Sequence, residues 1–502
     1  MASVPVFEKI AYNCSGGVIK DSQSVNLKSE VYCENVKRVI NVISSLSCDK
    51  AEKTEKGVSY GGRINVIMCY EDDKGEIKKA ECFQSFKKDV DFENRENCQI
   101  KSTESEILKT EIDLSGIKVC FNSTIKTDIY LEDLKTIELL SGGEEIIADT
   151  EEVTAINSLG EKQTNYKIEE EFELNYPVKE VIYHNAFVAI TSSQCGVGSI
   201  IVDGELFVNL LLIKEGETPS YINEYKTFPF RAEIDCEEAM PACSSVAMGK
   251  VKSFKIDLTV NQEENTTNAE INAVLDLTGE CFENRSVKIC KDAFCLNQKI
   301  NLERQTASID CGYEVRGERQ KVCGISTVEE FDQAEIIAVT NKKVEIVETE
   351  VLEDGVKVVG LINATCWLKG ENDKLFSRKL EAPFEKTLDV KAPVNATTLV
   401  RATPISAQAT VKDADKIELC LDVFFQIFYK LKKELNYIKG FSSLGEKQKE
   451  TASISVYIAK DGENLFALAK RLNVCPDELV NSNKELNFPL SGKERIIVYR
   501  QG

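Results

Sequence analysis

The chain has little of the residue types that most often carry catalysis or bind metals. Its 502 residues include one histidine, His184, and one tryptophan, Trp367. With a single histidine and no Cys-x-x-Cys pair among 18 cysteines, the sequence offers no ligand set for a zinc cluster. It also lacks a recognisable nucleophile motif and phosphate-binding loop. We therefore predict no catalytic residues, no metal site and no cofactor, and a chain that is not an enzyme.

Positive charge and long apolar runs are also scarce. Lys and Arg total 62 against 83 Asp and Glu, a net charge of −21, which opposes approach to phosphate backbones and anionic lipids. No apolar run reaches the ~18 residues of a membrane-spanning helix. Glu8 appears before the apolar core of a secretory signal can form. We expect no nucleic acid partner, no membrane insertion and a cytoplasmic location.

The cysteines are scattered along the chain, from Cys14 to Cys475. Thiols of cytoplasmic proteins are normally kept reduced, so these residues are predicted to be small buried hydrophobic side chains in strands. The alternative is late cross-linking, within an insoluble assembly in a compartment that has become oxidising.

What the sequence does contain is an internal repeat. The segment Ser158–Gln163, Ser-Leu-Gly-Glu-Lys-Gln, returns as Ser443–Gln448, and a weaker copy occupies Asn301–Gln305. The copies are 143 and 142 residues apart, counted from their leucines Leu159, Leu302 and Leu444. A period of this length is the size of one domain, so the chain is predicted to contain tandem modules.

A second anchor of the repeat is a glycine within a β-type apolar run, followed by a phenylalanine 24 to 26 residues later. The pairs are Gly62 and Phe86, Gly204 and Phe230, and Gly360 and Phe384. A glycine bulge and a packed ring explain these positions better than a binding role does.

Within the modules, β-branched residues alternate with polar ones, as in Val344–Val351. Such half-buried strands at short spacing predict an antiparallel sandwich or small barrel in each module. His184 and Trp367 are expected to be structural residues of strands. The aromatic segment Phe424–Tyr429 fits either a strand or a helix, and either a core or an intermodule contact.

From about Ile454 the pattern changes. A strand at Ser455–Ile458 precedes a helical period, with apolar residues at i, i+3, i+4 and i+7, namely Leu465, Leu468, Ala469 and Leu472. Asn464 is placed to cap this helix. A second helix is predicted from Pro476 to about Ser482, and a closing strand at Arg495–Tyr499.

This unit resembles the LysM domain. The matching residues are Tyr457, Gly462, Leu465, Phe466, Ala469, Leu479, Asn483, Ile496 and Val498. LysM domains typically bind N-acetylglucosamine polymers in a shallow groove between two loops. The resemblance implies a ligand- or partner-binding groove formed by Gly462, Glu463, Asn464, Leu465 and Phe466 on one side and by Asn483, Lys484, Glu485 and Leu486 on the other. The chain departs from the LysM pattern at Glu463, Asn464, Phe466 and Lys484, where Asp, Thr, Trp and Pro are usual, and at Tyr499, which replaces a terminal Pro.

Tandem β modules that end in one LysM domain resemble the SipL-type spore coat morphogenetic proteins, which are built from SPOCS domains. The fold class is then mainly β, with three sandwich or barrel-like modules and a small α+β domain of βααβ order. The predicted division is a lead-in at 1–30, SPOCS-like β modules at 31–165, 166–308 and 309–450, and a LysM domain at 451–502.

The resemblance implies a non-enzymatic scaffold or adaptor in spore coat assembly. Such a protein is made in the mother cell during sporulation and is assembled at the forespore surface or spore coat. Its LysM domain binds a protein partner, the coat-basement ATPase. Binding of peptidoglycan, an N-acetylglucosamine polymer, through the groove is the alternative, and a glycan hydrolase within residues 31–450 is a third hypothesis.

Overall fold

The chain folds mainly into antiparallel β structure, as the alternating sequence pattern predicts. A computed structural model describes residues 7–49, 51–92, 98–143, 145–216, 220–328, 334–370, 374–391, 396–447 and 454–499. Helices occur in the described residues only near the C-terminus.

The strands follow one another in three groups, named here modules one, two and three. Module one contains β1 (Phe7–Tyr32), β2 (Val36–Cys48), β3 (Glu52–Lys53), β4 (Gly57–Asp72), β5 (Ile77–Asp91), β6 (Cys98–Ser115) and β7 (Lys118–Gly143). Module two contains β8 (Ile146–Leu174), β9 (Val178–Cys195), β10 (Ser199–Lys214), β11 (Ser220–Asp235), β12 (Ser244–Asn261) and β13 (Thr266–Cys295). Module three contains β14 (Gln298–Thr327), β15 (Glu335–Val351), β16 (Val356–Lys369), β17 (Leu375–Leu388), β18 (Thr397–Asp413) and β19 (Lys416–Glu446).

The pairing of the strands is the same in all three modules. The last strand of each module lies between the first strand and the one before last, in the orders β1-β7-β6, β8-β13-β12 and β14-β19-β18. The strands between them form a second sheet, in the orders β2-β4-β5, β9-β10-β11 and β15-β16-β17, with short β3 also paired to β4. The two sheets of each module pack on a common hydrophobic core.

In the structure, module one ends at about residue 145 and module two at residues 296–297. The boundaries predicted from the sequence are 165/166 and 308/309. These predicted boundaries fall inside β8 and β14. The reason is that Ser158–Gln163 lies within the first strand of module two, but its copy from Ser443 lies at the end of the last strand of module three. The two segments share a local backbone conformation rather than a place in the module: Gly160 and Gly445 have φ of 109° and 108°.

The glycine and phenylalanine of the second anchor face each other on neighbouring strands. Gly62 pairs with Phe86, Gly204 with Phe230 and Gly360 with Phe384. A Cβ built on Gly360 would lie 2.2 Å from the carbonyl oxygen of Glu345 and 2.8 Å from the ring of Phe384. The glycine therefore makes room both for the ring and for the neighbouring strand. The structural interpretation of this anchor is confirmed.

The first and last strands of each module continue beyond its sandwich as a two-stranded ribbon. In module two, β12 pairs with β13 only as far as Phe282, whereas β8 follows β13 to Cys295. The ribbons of the three modules pack together around buried apolar side chains that include Leu139, Val153, Val287, Ile309 and Leu435. The modules thus share one core at their ribbons.

A second shared core, the intermodule cluster, joins the sandwiches. Its buried members are Ile40, Ile43, Ile67, Cys69, Ile182, Tyr183, Leu211, Ile213, Ala338, Trp367 and Leu375. Cys69, Leu211 and Trp367 each follow the anchor glycine of their module by seven residues, and all three are 0% exposed. Equivalent positions of the repeat therefore meet, which indicates an approximately threefold arrangement of the modules.

A buried lysine lies at the interface between modules two and three. Lys342, which is 4% exposed, has its Nζ 5.4 Å from the ring centre of Phe187 and 4.5 Å from that of Tyr225. Its ammonium donates to the carbonyl oxygen of Ile405 at 3.1 Å. Burial lowers the pKa of Lys342 to about 7.

The remaining structural predictions concern aromatic residues, the histidine and the cysteines. Phe424–Tyr429 is a strand, as part of β19, and Trp367 is a buried strand residue whose Nε1 donates to Thr340 Oγ1 at 2.7 Å. His184 lies in β9, and burial lowers its pKa. Cys323 and Cys420 form a disulfide because they face each other on β14 and β19. The expectation of reduced thiols is therefore wrong at this pair.

Candidate functional site

The candidate site lies in the C-terminal unit, residues 454–499, whose short elements have clear local causes. Its elements are β20 (Ile454–Ile458), α1 (Leu465–Leu472), α2 (Pro476–Ser482) and β21 (Arg495–Tyr499). Asn464 Oδ1 accepts from the backbone N–H of Ala467 at 2.7 Å, so Asn464 caps α1 as predicted. Pro476 begins α2, whose first turn carries two acidic residues.

The two helices cover one face of a two-stranded antiparallel sheet. In this sheet β20 pairs with β21, with Ile454 opposite Tyr499 and Ile458 opposite Arg495. The core between helices and sheet consists of buried apolar residues, namely Leu468, Ala469, Leu472, Leu479, Ile496 and Val498. The elements therefore occur in the predicted order and pack around one small core.

Glu463 is part of the framework of the C-terminal unit and not an open binding residue. Its carboxylate accepts from Arg471 Nε at 2.7 Å, from Arg471 Nη2 at 2.8 Å and from the backbone N–H of Lys460 at 3.0 Å. These bonds, those from Arg471 first, lower the pKa of Glu463. The residue is 8% exposed, and it ties the loop before α1 to the end of that helix.

Asn483 has a comparable structural role on the other side of the predicted groove. Its Nδ2 donates to the carbonyl oxygens of Leu479 and Ile497 at 2.8 and 2.7 Å. Its Oδ1 accepts from the backbone N–H of Ile497 at 2.7 Å. The side-chain amide thereby joins α2 to β21, and it is engaged on both its donor and its acceptor side.

The other predicted groove residues fall into two sets. Leu465, Phe466 and Leu486 are partly buried against the core of the C-terminal unit. Those with exposed positions are Gly462, Asn464, Lys484 and Glu485. The loop after β20 also bonds to a segment outside the predicted groove, because the N–H of Gly462 donates to the carbonyl oxygen of Leu490 at 2.8 Å.

Helix α1 and its C-terminal cap also attach the C-terminal unit to the end of β13 and to the turn that follows it. The ring of Phe466 meets that of Phe294 edge-on, with ring centres 5.5 Å apart. Lys470 pairs with Asp292 at 2.6 Å, and Asn473 Nδ2 donates to the carbonyl oxygen of Leu296 at 2.9 Å. Phe466 is therefore in contact with module two and is only partly exposed.

The outer face of the two-stranded sheet is apolar and exposed. Ile454, Val456, Ile458 and Tyr499 are 62%, 63%, 69% and 55% exposed, respectively. We call these four residues the outer sheet face. The alternation that produces this surface is visible in the sequence of β20, Ile-Ser-Val-Tyr-Ile. The alternation alone does not tell which side of the strand packs against the helices. Sequence reasoning therefore missed this surface.

The described residues contain neither a cluster of metal ligands nor a membrane-spanning helix. No group of three or more His, Cys, Asp or Glu side chains there is arranged to hold a metal ion. None of the described helices is both long and apolar enough to cross a bilayer. Comparisons of the chain with protein-family models, with curated proteins and with solved structures find no match.

Proposed function

We propose that the chain is a non-enzymatic scaffold of the spore coat, and that its C-terminal unit is a LysM-type domain of βααβ order that docks a protein. The three SPOCS-like modules form the body of the scaffold. The partner, by resemblance to SipL-type proteins, is the coat-basement ATPase at the forespore surface. The chain would act in the mother cell during sporulation.

The outer sheet face is the observation that carries this proposal. An exposed cluster of large apolar residues in a unit of this size is typical of a protein interaction site. In the predicted sugar groove, by contrast, Glu463 and Asn483 bond within the unit, and Phe466 contacts Phe294. Both observations favour protein docking over glycan binding.

The proposal is tested by measuring the affinity of the full chain for the coat-basement ATPase. Replacement of Val456 by lysine places a charge in the centre of the outer sheet face, and we expect binding to weaken at least about tenfold, which corresponds to about 1.4 kcal/mol. The matched control is Val347→Lys, because Val347 in β15 is 66% exposed and Val456 is 63% exposed. Equal affinities of the two variants would contradict docking through this face.

Glycan binding is the competing function, and the exposed residues Lys484 and Glu485 permit a direct test. The full chain is titrated with N-acetylglucosamine oligomers and followed by calorimetry. The docking proposal expects no saturable heat. Saturable binding that is lost in Lys484→Ala, while Val456→Lys binds normally, would favour the groove as the functional site.

A further inference from the structure

Three thiols of module two lie close together although they are far apart in the sequence. Cys195 ends β9, Cys243 precedes β12 and Cys281 lies in β13. The Sγ atoms of Cys195 and Cys281 are 3.4 Å apart, and the Cys281 thiol interacts with that of Cys243 as well. The three residues belong to the hydrophobic core of module two.

Cys281 lies at an irregularity in the pairing of β13 with β8. The register between β13 and β8 shifts between Glu280 and Phe282, so Cys281 faces the two residues Leu159 and Gly160. Gly160 has a φ of 109°, which favours glycine. This bulge leaves Cys281 outside the regular pairing with β8, whereas Cys281 keeps its place opposite Ser245 of β12.

Small molecules can reach two of the three thiols. Cys195 and Cys243 line a cavity of about 570 Å³ that is also lined by Tyr313 and Gln426 of module three. Cys281 is 0% exposed and lies behind them. The arrangement places accessible thiols in front of a buried one, at the interface of two modules.

We propose that Cys195 and Cys281 form a reversible disulfide when a peroxide enters this cavity, and that Cys243 is the thiol that can exchange with it. An S–S bond requires the two sulfur atoms to approach from 3.4 Å to about 2.05 Å. The bond would join the two sheets of module two.

The chemistry proceeds in two steps with peroxide as the oxidant. The Cys195 thiolate attacks one peroxide oxygen, the O–O bond breaks, and hydroxide leaves and is protonated, giving a sulfenic acid and one water. Cys281 sulfur then attacks the sulfenic sulfur, the S–O bond breaks, and the leaving hydroxide takes the Cys281 proton as a second water. Two thiols are oxidised by two electrons in total, and one peroxide is reduced to two waters.

The order of the steps follows from the surroundings of the thiols. Burial raises the pKa of Cys281, and the neighbouring Cys195 raises it further. The buried thiol therefore stays protonated, and the accessible Cys195 reacts first. A disulfide between Cys195 and Cys281 would be open to attack by Cys243, which gives the site a route back to reduced thiols through exchange.

The test uses the full chain, first fully reduced and then treated with hydrogen peroxide under native conditions. Remaining thiols are alkylated, and peptides are mapped by mass spectrometry without reduction. We expect a Cys195–Cys281 linked peptide to appear before Cys475, a half-buried thiol of the C-terminal unit, is oxidised. Its absence, or a Cys243–Cys281 linkage in its place, would overturn the assigned pair.

Two variants separate the roles of the thiols. Cys281→Ser is expected to abolish the linked peptide and to leave Cys195 as a sulfenic acid that a diketone reagent traps. Cys243→Ser should retain the linked peptide but slow its reduction by added small thiols, because exchange through Cys243 is lost. Should Cys243→Ser be reduced as fast as the natural chain, the exchange role of Cys243 would be refuted.

Discussion

The intermodule cluster and the outer sheet face use apolar side chains in opposite ways. In the modules, repeated positions such as Cys69, Leu211 and Trp367 are 0% exposed and bind the copies together. In the C-terminal unit, Val456 and Ile458 lie on a sheet of comparable apolar character yet are 63% and 69% exposed. Equivalent positions of the repeat thus bury their apolar side chains in contacts between the modules, whereas the single-copy unit leaves four large apolar side chains exposed on one sheet face.

The largest expected effect is at the centre of the intermodule cluster. Trp367→Ala should lower the free energy of unfolding by about 3–5 kcal/mol, because it leaves a cavity where a large side chain was fully buried. It also leaves Thr340 Oγ1 without its indole donor. Chemical denaturation of the full chain measures the change in the free energy of unfolding. A change below about 1 kcal/mol would show that the intermodule cluster is not a tightly packed core.

The anchor glycines should be the next most sensitive positions. Gly360→Ala places a Cβ against the carbonyl oxygen of Glu345, 2.2 Å away, and should cost about 1–3 kcal/mol. The matched control is Gly440→Ala, whose Cβ would have its nearest neighbour at 3.6 Å, in the side chain of Glu303. The denaturation midpoints of the two variants measure the difference in stability. Equal midpoints would contradict the close approach of the Glu345 carbonyl oxygen to Gly360.

The buried Lys342 should make the free energy of unfolding depend on pH. Its pKa is about 7 in the folded chain, below the ordinary value of 10.5, so between these values the unfolded state binds more protons than the folded state. Burial of the neutral lysine therefore does not lower the free energy of unfolding above about pH 10.5. As the pH falls from there towards 7, the free energy of unfolding decreases by up to about 1.4 kcal/mol per pH unit.

Lys342→Met removes this titration while keeping an apolar chain of similar length. We expect the variant to gain stability relative to the natural chain as the pH is lowered from 9 to 7. Urea unfolding of both chains at the two pH values measures the difference. A pH-independent difference would show that Lys342 is not neutralised on burial.

The smallest effect on stability should be at the outer sheet face. Val456→Lys replaces an exposed side chain, and we expect the free energy of unfolding to change by less than about 0.5 kcal/mol. The same denaturation measurement applies, with Val347→Lys as the exposed control. A loss as large as that at Trp367 would show that the outer face is covered by the chain itself, and the contrast between the two regions would disappear.

The local features of the fold could be predicted from the sequence. The helices at Leu465–Leu472 and Pro476–Ser482 were predictable because periodicity and caps act within a few residues. The structural role of the anchor glycine and phenylalanine was predictable for a similar reason, since their strands are neighbours along the chain; their direct pairing is seen only in the structure.

Features that depend on distant pairing could not be predicted in this way. The ribbon joins β8 to β13 across more than a hundred residues, and the sequence repeat therefore predicts a module boundary inside β8 rather than before it. Contact between Phe466 and Phe294 likewise depends on how whole units pack. Among the predicted groove residues, the sequence pattern identified Glu463 and Asn483 but could not tell their structural hydrogen bonds from binding roles.

The pairing of first and last strands has a consequence for synthesis of the chain on the ribosome. β1 can pair with β7 only after β7 has left the ribosome, and β14 can likewise pair with β19 only after β19 has been made. During translation the first strand of each module must remain without this partner while the rest of the module is made. This favours slow folding and transient aggregation of nascent chains. A stop codon shortly before residue 416 would remove the central strand of one sheet of module three, and would leave β14 and β18 without their common neighbour.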